Sequence, residues 1–452
     1  MADVIHELYE SRVYPAMSHP LSDPAVSAVS ARLSGLDVPH PRNARVLEIG
    51  CCSGHNLLPL AQRWPESFFT GIDLSARSIE KAQDRAITSG IRNVAFFSGD
   101  LREFTPLDGP FDFIIAHGFL SWVPDDVKIF LFTFCRQHLS TSGIATISFN
   151  LECGWRSRQA VITKVRAIQE AGAGDVMSAL GILKSISRVG DPEAEIIDDM
   201  IARGTSILVF DDFGPINDPW SLERFVQASS HAGLRWLGES DPSQNIPSEL
   251  SDETIVELRS RTNNLIDFQQ SIDEVLGRMF RSCVLCRDDA MVAGRVSSDI
   301  LLDFSYRVGK EPLESQVLQI HQAVLSHAPA AVDLGNSIGV LLERDLASAK
   351  QRVFDGIARG WLRPRIEPLS YHSSPPEYPK LNDFRLLCAR EALPLVDAWH
   401  YPCAFPQGHY AVLAAMDGSR SVVELASLSS HGSPELAFEP WLRHLAWRGM
   451  FA

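Results

Sequence analysis

The sequence predicts an α/β protein: a mostly parallel, seven-stranded sheet covered by helices, joined to a smaller mixed α/β C-terminal domain. Three observations predict it. From residue 45 onward, short apolar runs alternate with helical patterns, the rhythm of parallel strands linked by crossover helices. The first run breaks into a glycine turn that opens a helix, and the second run ends in an acid. Beyond residue 289 the regular alternation stops.

The elements follow in order. Residues 1–44 read as a helical lead-in that contains Tyr9, Tyr14 and His19-Pro20, with a helix over 24–36. Strand one is Arg-Val-Leu-Glu-Ile, 45–49. A helix over 56–63, patterned by Leu57, Leu58 and Leu60, stops at Trp64-Pro65. Strand two covers 68–73. Ser75 supplies an N-cap for a helix to 89, with Glu80 and Lys81 on its wet side. Strand three, 94–98, ends at Gly99-Asp100, and strand four, 111–116, at His117-Gly118. A helix over 125–139 leads to strand five, 143–150. Residues 155–205 lack strand signals and read as a helical insertion lying as a lid over the open edge. The rhythm then returns with a helix at 219–231, a strand at 233–238, a long helix at 251–276 and a strand at 280–287. These complete seven strands and close the first domain near residue 289. The remainder, 290–452, predicts strands at 301–307 and 361–368. It also predicts helices at 314–326, 344–359, 410–416, 421–427 and 439–449, with a loop rich in proline, serine and tyrosine over 369–380. Short helices followed by a strand suggest a winged-helix-like domain.

Composition narrows the partners. The chain has 452 residues, too many for one ordinary core, with 45% apolar and 21% charged residues, as in soluble globular proteins. No apolar run reaches the ~20 residues that span a bilayer. The first ten residues lack the basic start and apolar core of a secretory signal. Of eight cysteines, only Cys283 and Cys286 have metal-like spacing, and they sit in an alternating strand pattern with no second pair. No metal site is therefore expected, and reduced thiols in a cytoplasmic protein fit best. The net charge is −15. Residues 290–452 hold 15 Lys/Arg and 17 Asp/Glu, which leaves 26 and 39 in the first 289 residues. That region is poorly suited to nucleic acid phosphates and tolerant of a cationic substrate. Oligomeric state is left open, a homodimer included.

The chemistry concentrates between Glu48 and Asp73. A dinucleotide site wants Gly-x-Gly-x-x-Gly, but those positions hold Gly50, Cys52 and His55. Two of the three glycines are missing, and no Gly-Lys-Ser/Thr follows, so NAD, FAD and P-loop chemistry are disfavoured. S-adenosylmethionine carries a ribose and an adenine but no phosphate. Its site needs a glycine turn, an acceptor for the ribose hydroxyls and polar groups at the adenine.

The stretch Glu48-x-Gly50-x-x-x-Gly54 resembles motif I of class I S-adenosylmethionine-dependent methyltransferases. By that resemblance Asp73 accepts from both ribose hydroxyls, and Gly99-Asp100-Leu101 forms the adenine turn. In that turn the Asp100 carboxylate takes the exocyclic amine and Leu101 offers backbone. The resemblance implies a cofactor face of Glu48, Gly50, Cys52, Gly54, Asn56, Asp73, Leu74, Gly99, Asp100, Leu101 and His117, with S-adenosylhomocysteine as product. Cys52 stands where many relatives have glycine.

A narrower resemblance covers residues 5–290, and the C-terminal part more weakly. Tyr14-Pro15, Ser18-His19-Pro20, 116–124, Ser148-Phe149-Asn150, Gly154-Trp155, 232–239, Asp267-Phe268 and Met279-Phe280-Arg281 are similar to a bacterial family. That family joins a methyltransferase domain to a methyltransferase regulatory domain, and it includes protein lysine methyltransferases that act on outer-membrane proteins. The sequence departs from it at Leu120, Glu152-Cys153 and Arg156, near the expected acceptor pocket. A protein lysine is therefore the first expectation, and a small metabolite or natural-product intermediate stays open, as N-, O- or S-methylation.

The candidate catalytic residues are His117, Trp122 and Tyr14. His117 ends strand four at the mouth of the site, as a general base or hydrogen-bond partner, or as packing against the cofactor. Trp122 and Trp155 either wall the pocket or pack in the core. Tyr9 and Tyr14 either fold over the cofactor or make helix–core contacts. Asn150 and Glu152 end strand five at the rim, where an acid would steer a cation. Arg278 and Arg281 read as surface or sheet-edge charges. Cys51 and Cys52 read as small fillers of the turn.

Overall fold

The computed structural model describes residues 2–451 except 107–108, 189, 248, 310–331, 334–345, 370, 372–373 and 433–436. Its centre is a seven-stranded sheet. The strands are β1 (Arg45–Ile49), β2 (Phe68–Asp73), β3 (Val94–Ser98), β4 (Phe111–Ala116), β5 (Leu139–Asn150), β6 (Leu234–Glu239) and β7 (Phe280–Arg287). They run in the order β3-β2-β1-β4-β5-β7-β6. The pairs from β3 to β5 are parallel, and β7 runs antiparallel to both β5 and β6. The order reverses beside β1, which opens a crevice at the carboxyl ends of β1 and β4.

Alternation along each strand feeds two cores. Val46, Phe69, Phe113 and Ile144 face one side, with the helices Pro24–Leu33, Leu57–Arg63 and Ala76–Thr88. Leu47, Ile72, Ile114 and Ile147 face the other, with Asp125–His138 and Leu222–His231. The central strands β1, β4 and β7 are buried on both faces and so read as near-continuous apolar runs. After β5 the chain builds helices Glu152–Ile168, Val176–Ile186, Pro192–Arg203 and Thr205–Asp211 around a small core of their own, including Val161, Leu180, Ile197 and Met200.

The C-terminal region is mixed α/β with two small antiparallel sheets. β8 (Ser305–Val308) pairs with β9 (Val332–Asp333) and β10 (Leu362–Arg365); β11 (Leu395–Val396) pairs with β12 (Pro402–Cys403). This region shares the first face's core. Phe304, Leu362, Leu381, Phe384, Leu413 and Leu445 belong to the same cluster as Ala25, Val46 and Leu57. Polar contacts cross the same junction. Trp64 Nε1 donates to Glu367 Oε1 at 2.6 Å, and Arg63 donates to the Ala398 carbonyl at 2.8 Å.

Several expectations change. The helix over 251–276 is two helices, Asp252–Ser260 and Leu265–Leu276. The second restarts at its own cap, where Asn264 Oδ1 accepts from the Asp267 N–H at 2.9 Å. The strand over 301–307 starts only at Ser305, because Ser298–Leu302 forms a 3₁₀ turn. A helix at Asp383–Arg390, capped by Asn382, and the β11–β12 hairpin had no sequence forecast. The helix expected over 314–326 lies outside the described residues. No described helix is long and apolar enough to cross a membrane.

Arg278 and Arg281 are not surface charges. Arg281 is 1% exposed and donates to both Asp273 oxygens at 2.8 Å and to Glu239, while Arg278 donates to Asp273 Oδ1 at 3.0 Å. The cluster ties β7, β6 and helix Leu265–Leu276 together. Removing one member of a buried pair strands the others' charge, at about 3–5 kcal/mol. Arg281→Met should therefore lower the urea midpoint by that equivalent. A midpoint shift worth under about 1 kcal/mol, the range of surface pairs, would contradict this assignment.

Candidate functional site

The carboxyl ends of the parallel strands meet in one cavity of about 370 Å³. Its floor is the turn after β1. Gly50 has φ +75°, Cys52 +47° and Gly54 +73°. The Gly50 and Cys51 N–H groups both donate to the Ile72 carbonyl, at 2.8 and 3.2 Å, which pins the turn to β2. A Cβ on Gly50 would lie 3.1 Å from the Phe119 ring. Gly54 does not line the cavity; a Cβ there would meet Phe96 at 3.0 Å and Ala82 at 3.1 Å, so it serves helix packing. Cys52 adopts the left-handed backbone that glycine takes more easily, at a cost of about 1–2 kcal/mol.

Asp73 fixes that conformation. Its Oδ2 accepts from the Cys52 N–H at 2.8 Å and its Oδ1 from the Ser75 N–H at 2.9 Å. One carboxylate thus joins the turn after β1, the end of β2 and the capped helix that starts at Ala76. Each oxygen keeps a lone pair. Burial raises its pKa and the two backbone bonds oppose that shift.

Glu48, in β1, is 3% exposed. Asn56 Nδ2 donates to its Oε1 at 2.6 Å, while Oε2 is buried without a partner. Desolvation lifts this carboxyl to a pKa of about 8. Asp100 is different. Arg102 pairs with it at 2.5 Å and also reaches Asp126 at 2.5 Å, which holds Asp100 below the usual carboxylate range. Any amine at Asp100 would share the carboxylate with Arg102. Leu101 is buried and Leu74 exposed, and both line the cavity with Gly99.

The rest of the lining is largely aromatic. The His117 ring stacks on His19, with centroids 3.8 Å apart, and lies 5.4 Å from Phe280. Its Nδ1 is buried without a partner, and desolvation depresses its pKa well below the usual value. A ring this hard to protonate suits a wall or hydrogen-bond role better than that of a general base. Trp122 lines the cavity with a buried, unpartnered Nε1, and Trp155 adds a face. Tyr14 Oη donates to Asp211 Oδ1 at 3.1 Å, and Arg203 donates to Asp211 Oδ2 at 2.5 Å. Phe210 packs on Tyr9 at 5.2 Å and on Tyr14 at 5.3 Å. The N-terminal segment and the helices after β5 therefore form the roof together. Asn150 lines the cavity, whereas Glu152 is exposed and does not.

Of the candidate catalytic and cofactor residues, all but Gly54 meet in this cavity; Glu152 and the expected pocket positions Leu120, Cys153 and Arg156 do not line it. His19, noted only as an N-terminal feature, stacks on His117. Sequence reasoning missed Phe280, His55, Arg203 and Asp211. Phe280 was accessible in principle: an antiparallel final strand starts at the edge where β5 ends. Asp211 had no local signal, because it reaches the cavity only once the helices after β5 fold back.

Comparison with known proteins agrees with this geometry. Residues 46–143 match a methyltransferase domain family and residues 204–287 a predicted methyltransferase regulatory domain. An uncharacterized protein of Rickettsia prowazekii is 26% identical over 311 residues, covering 66% of this chain and 56% of that protein. The chain thus spans about half the length of that curated relative. A trans-aconitate 2-methyltransferase of Streptomyces coelicolor is 37% identical over 101 residues, 22% of this chain and 32% of its own. Among solved structures, PKMT2 from Rickettsia typhi superposes with TM-score 0.83 at 19% identity, covering 97% of this chain and 99% of that one. Its complex with AdoHcy gives TM-score 0.79 at 21% identity, covering 94% and 92%.

The buried Glu48 has a signature of its own. Its folded pKa of about 8 exceeds the ordinary 4.5, so the folded state holds the extra proton and stability falls as pH rises between those values. The buried histidines His19, His55 and His400, with pKa values of about 4, 3 and 3, act in the opposite sense as the unfolded imidazoles titrate around 6.5, and they do so equally in the wild type and in a Glu48 variant. From pH 6.5 to 8 Glu48 should cost about 2 kcal/mol at 1.36 per pH unit, so the wild-type protein should lose about that much relative to Glu48→Gln. Denaturant titrations at the two pH values measure it; equal slopes in both proteins would rule out Glu48 as the titrating group.

Proposed function

We propose that this chain, which carries a class I S-adenosylmethionine-dependent methyltransferase domain followed by a methyltransferase regulatory domain, transfers a methyl group to the side-chain amine of a protein lysine. One observation carries the reading. The acids Glu48, Asp73 and Asp100 and the rings of His117, Trp122 and Phe280 line a single cavity.

The cofactor side fits its ligand. Strand order puts Asp100, Asp73 and Glu48 in sequence along the tips of β3, β2 and β1. A nucleoside held by Asp100 and Asp73 would leave its amino-acid tail at Glu48, whose unpartnered Oε2 suits an ammonium. Gly50 admits the close approach, and Cys52, Asn56, Leu74, Gly99 and Leu101 complete the cradle. When bound, S-adenosylmethionine supplies an electrophilic methyl group on a sulfonium.

The chain's own residues then prepare the acceptor. Neutralising a lysine of pKa about 10.4 at pH 7 costs roughly 4.6 kcal/mol at 1.36 per unit. A wall of Trp122, Trp155, Phe280 and neutral His117 disfavours the ammonium and lowers that cost. Tyr14, held by Asp211, closes the roof, and the helices between 155 and 205 act as a lid that excludes water. Positioning accounts for much of the remaining barrier.

Lysine is favoured by the end-to-end likeness to PKMT2, a protein lysine methyltransferase. The acidic first 289 residues suit a basic protein segment rather than nucleic acid. A small metabolite is the second reading, favoured by the roofed cavity and the local match to a trans-aconitate 2-methyltransferase. Eight unpaired cysteines suit a cytoplasmic protein.

Calorimetry tests the cofactor: no heat with S-adenosylmethionine or S-adenosylhomocysteine at millimolar ligand would sink the proposal. Asp73→Ala should weaken binding by about 2–3 kcal/mol through two lost charged hydrogen bonds, and an unchanged affinity would remove Asp73 from the site. Label transferred from cofactor into whole-cell lysate should enter protein; label confined to the small-molecule fraction would select the second reading.

A further inference from the structure

Asn56 precedes helix Leu57–Arg63, at a position where asparagine commonly caps, yet its side chain makes no capping bond. It is 4% exposed and committed elsewhere. Its Oδ1 accepts from the His19 backbone N–H at 2.8 Å. That donor is unambiguous and fixes the amide's orientation, so Nδ2 faces Glu48 Oε1 at 2.6 Å. His400 Nε2 lies 2.8 Å from the same Oδ1. An amide oxygen carries no proton, so His400 donates. Its Nδ1 is buried without a partner.

His400 belongs to the C-terminal region, in the turn between β11 and β12. It is 0% exposed and holds φ +68°, a left-handed backbone costly for histidine. The turn is braced on both sides. Asp397 Oδ1 accepts from the Trp399 and Tyr401 N–H groups at 2.9 and 2.8 Å. Arg448 pairs with Asp397 at 2.6 Å, and Arg63 donates to the Ala398 carbonyl at 2.8 Å. A braced, strained turn that delivers one buried donor to one acceptor is a positioning device.

We infer that His400 is a positioning residue for the cofactor: through Asn56 it fixes Glu48 so that Oε2 faces the amino-acid end of the ligand, which makes the C-terminal region part of the cofactor site. This rests on the reading that Glu48 meets that ammonium. The relay runs from His400 Nε2–H to Asn56 Oδ1, and from Asn56 Nδ2–H to Glu48 Oε1. It touches only the amino-acid end; Asp73 and Asp100, at the nucleoside end, are outside it.

That asymmetry supplies the test. S-adenosylhomocysteine has both ends, whereas 5′-methylthioadenosine has the nucleoside and no amino acid. Calorimetry on the full-length protein compares the two ligands in the wild type, His400→Gly and His400→Asn. Both substitutions accept a left-handed backbone, and neither reaches Asn56. S-adenosylhomocysteine should bind about tenfold more weakly in both variants, the worth of one hydrogen bond to a buried network, with 5′-methylthioadenosine unchanged. Equal weakening of the two ligands would make His400 merely structural and overturn the inference, as would no weakening of either. Wild-type protein that binds 5′-methylthioadenosine but not S-adenosylhomocysteine would overturn the role of Glu48 and the relay together. Wild-type protein that binds neither would overturn the cofactor reading itself.

Discussion

The Asp73 carboxylate is the point on which the site depends. A parallel sheet whose order reverses beside one strand leaves loops diverging at its carboxyl edge. Those loops need a common anchor, or the crevice has no defined shape. Asp73 provides it by accepting one N–H from the turn after β1 and one from the cap of the following helix. The first bond holds Cys52 in a conformation that a β-carbon disfavours. A charged acceptor on a backbone donor offsets that strain. Both oxygens still keep a lone pair, so the anchor of the turn also has room for a ligand's hydroxyls.

Polarity across the cavity follows from which elements reach it. The cofactor side is built from consecutive strand ends and is rich in carboxyls. The remaining lining comes from the N-terminal segment, the turn after β4, the helices after β5 and the start of β7. It is mostly rings, with His117 and His19 discharged by burial. Asp211 adds a negative group to the roof, but Arg203 and Tyr14 already bind it. A cationic acceptor entering there meets little free carboxylate to stabilise its charge, which favours loss of the proton.

The same split explains what the sequence made legible. The bounds of β1, β2, β3, β4 and β7 were readable because each is a short, mostly apolar run bounded by turn residues. The cofactor acids were readable because each sits at the end of such a run. The acceptor wall was less so, since His19, Phe280 and Asp211 come from distant segments and meet only through tertiary folding. Arg281 misled for a related reason: a lone arginine in an alternating strand looks exposed, and its partners Asp273 and Glu239 carry no local mark of pairing. The break at Asn264 was a missed cap, because asparagine inside a helical pattern competes for the backbone and can restart the helix.

The C-terminal region is bound into this arrangement more deeply than its change of texture suggested. Its apolar residues complete the cluster that covers Val46 and Leu57, directly beneath the glycine turn. Its Glu367 receives the buried indole of Trp64, its Arg365 faces Asp23, and its Glu391 meets Arg85, which also donates to Ser53 Oγ at 2.8 Å. Ser53 lies in the turn and Trp64 ends the helix that the turn opens. Separating the two parts would leave Asp23 and Trp64 with lost partners in an apolar setting, which costs more than an exposed interface would. The turn that shapes the cavity is therefore held from two directions, by Asp73 from within the sheet and by the C-terminal region from beneath. The two supports act on different parts of that turn, Asp73 on Cys52 and the C-terminal region on Ser53, through Arg85, and on Asn56.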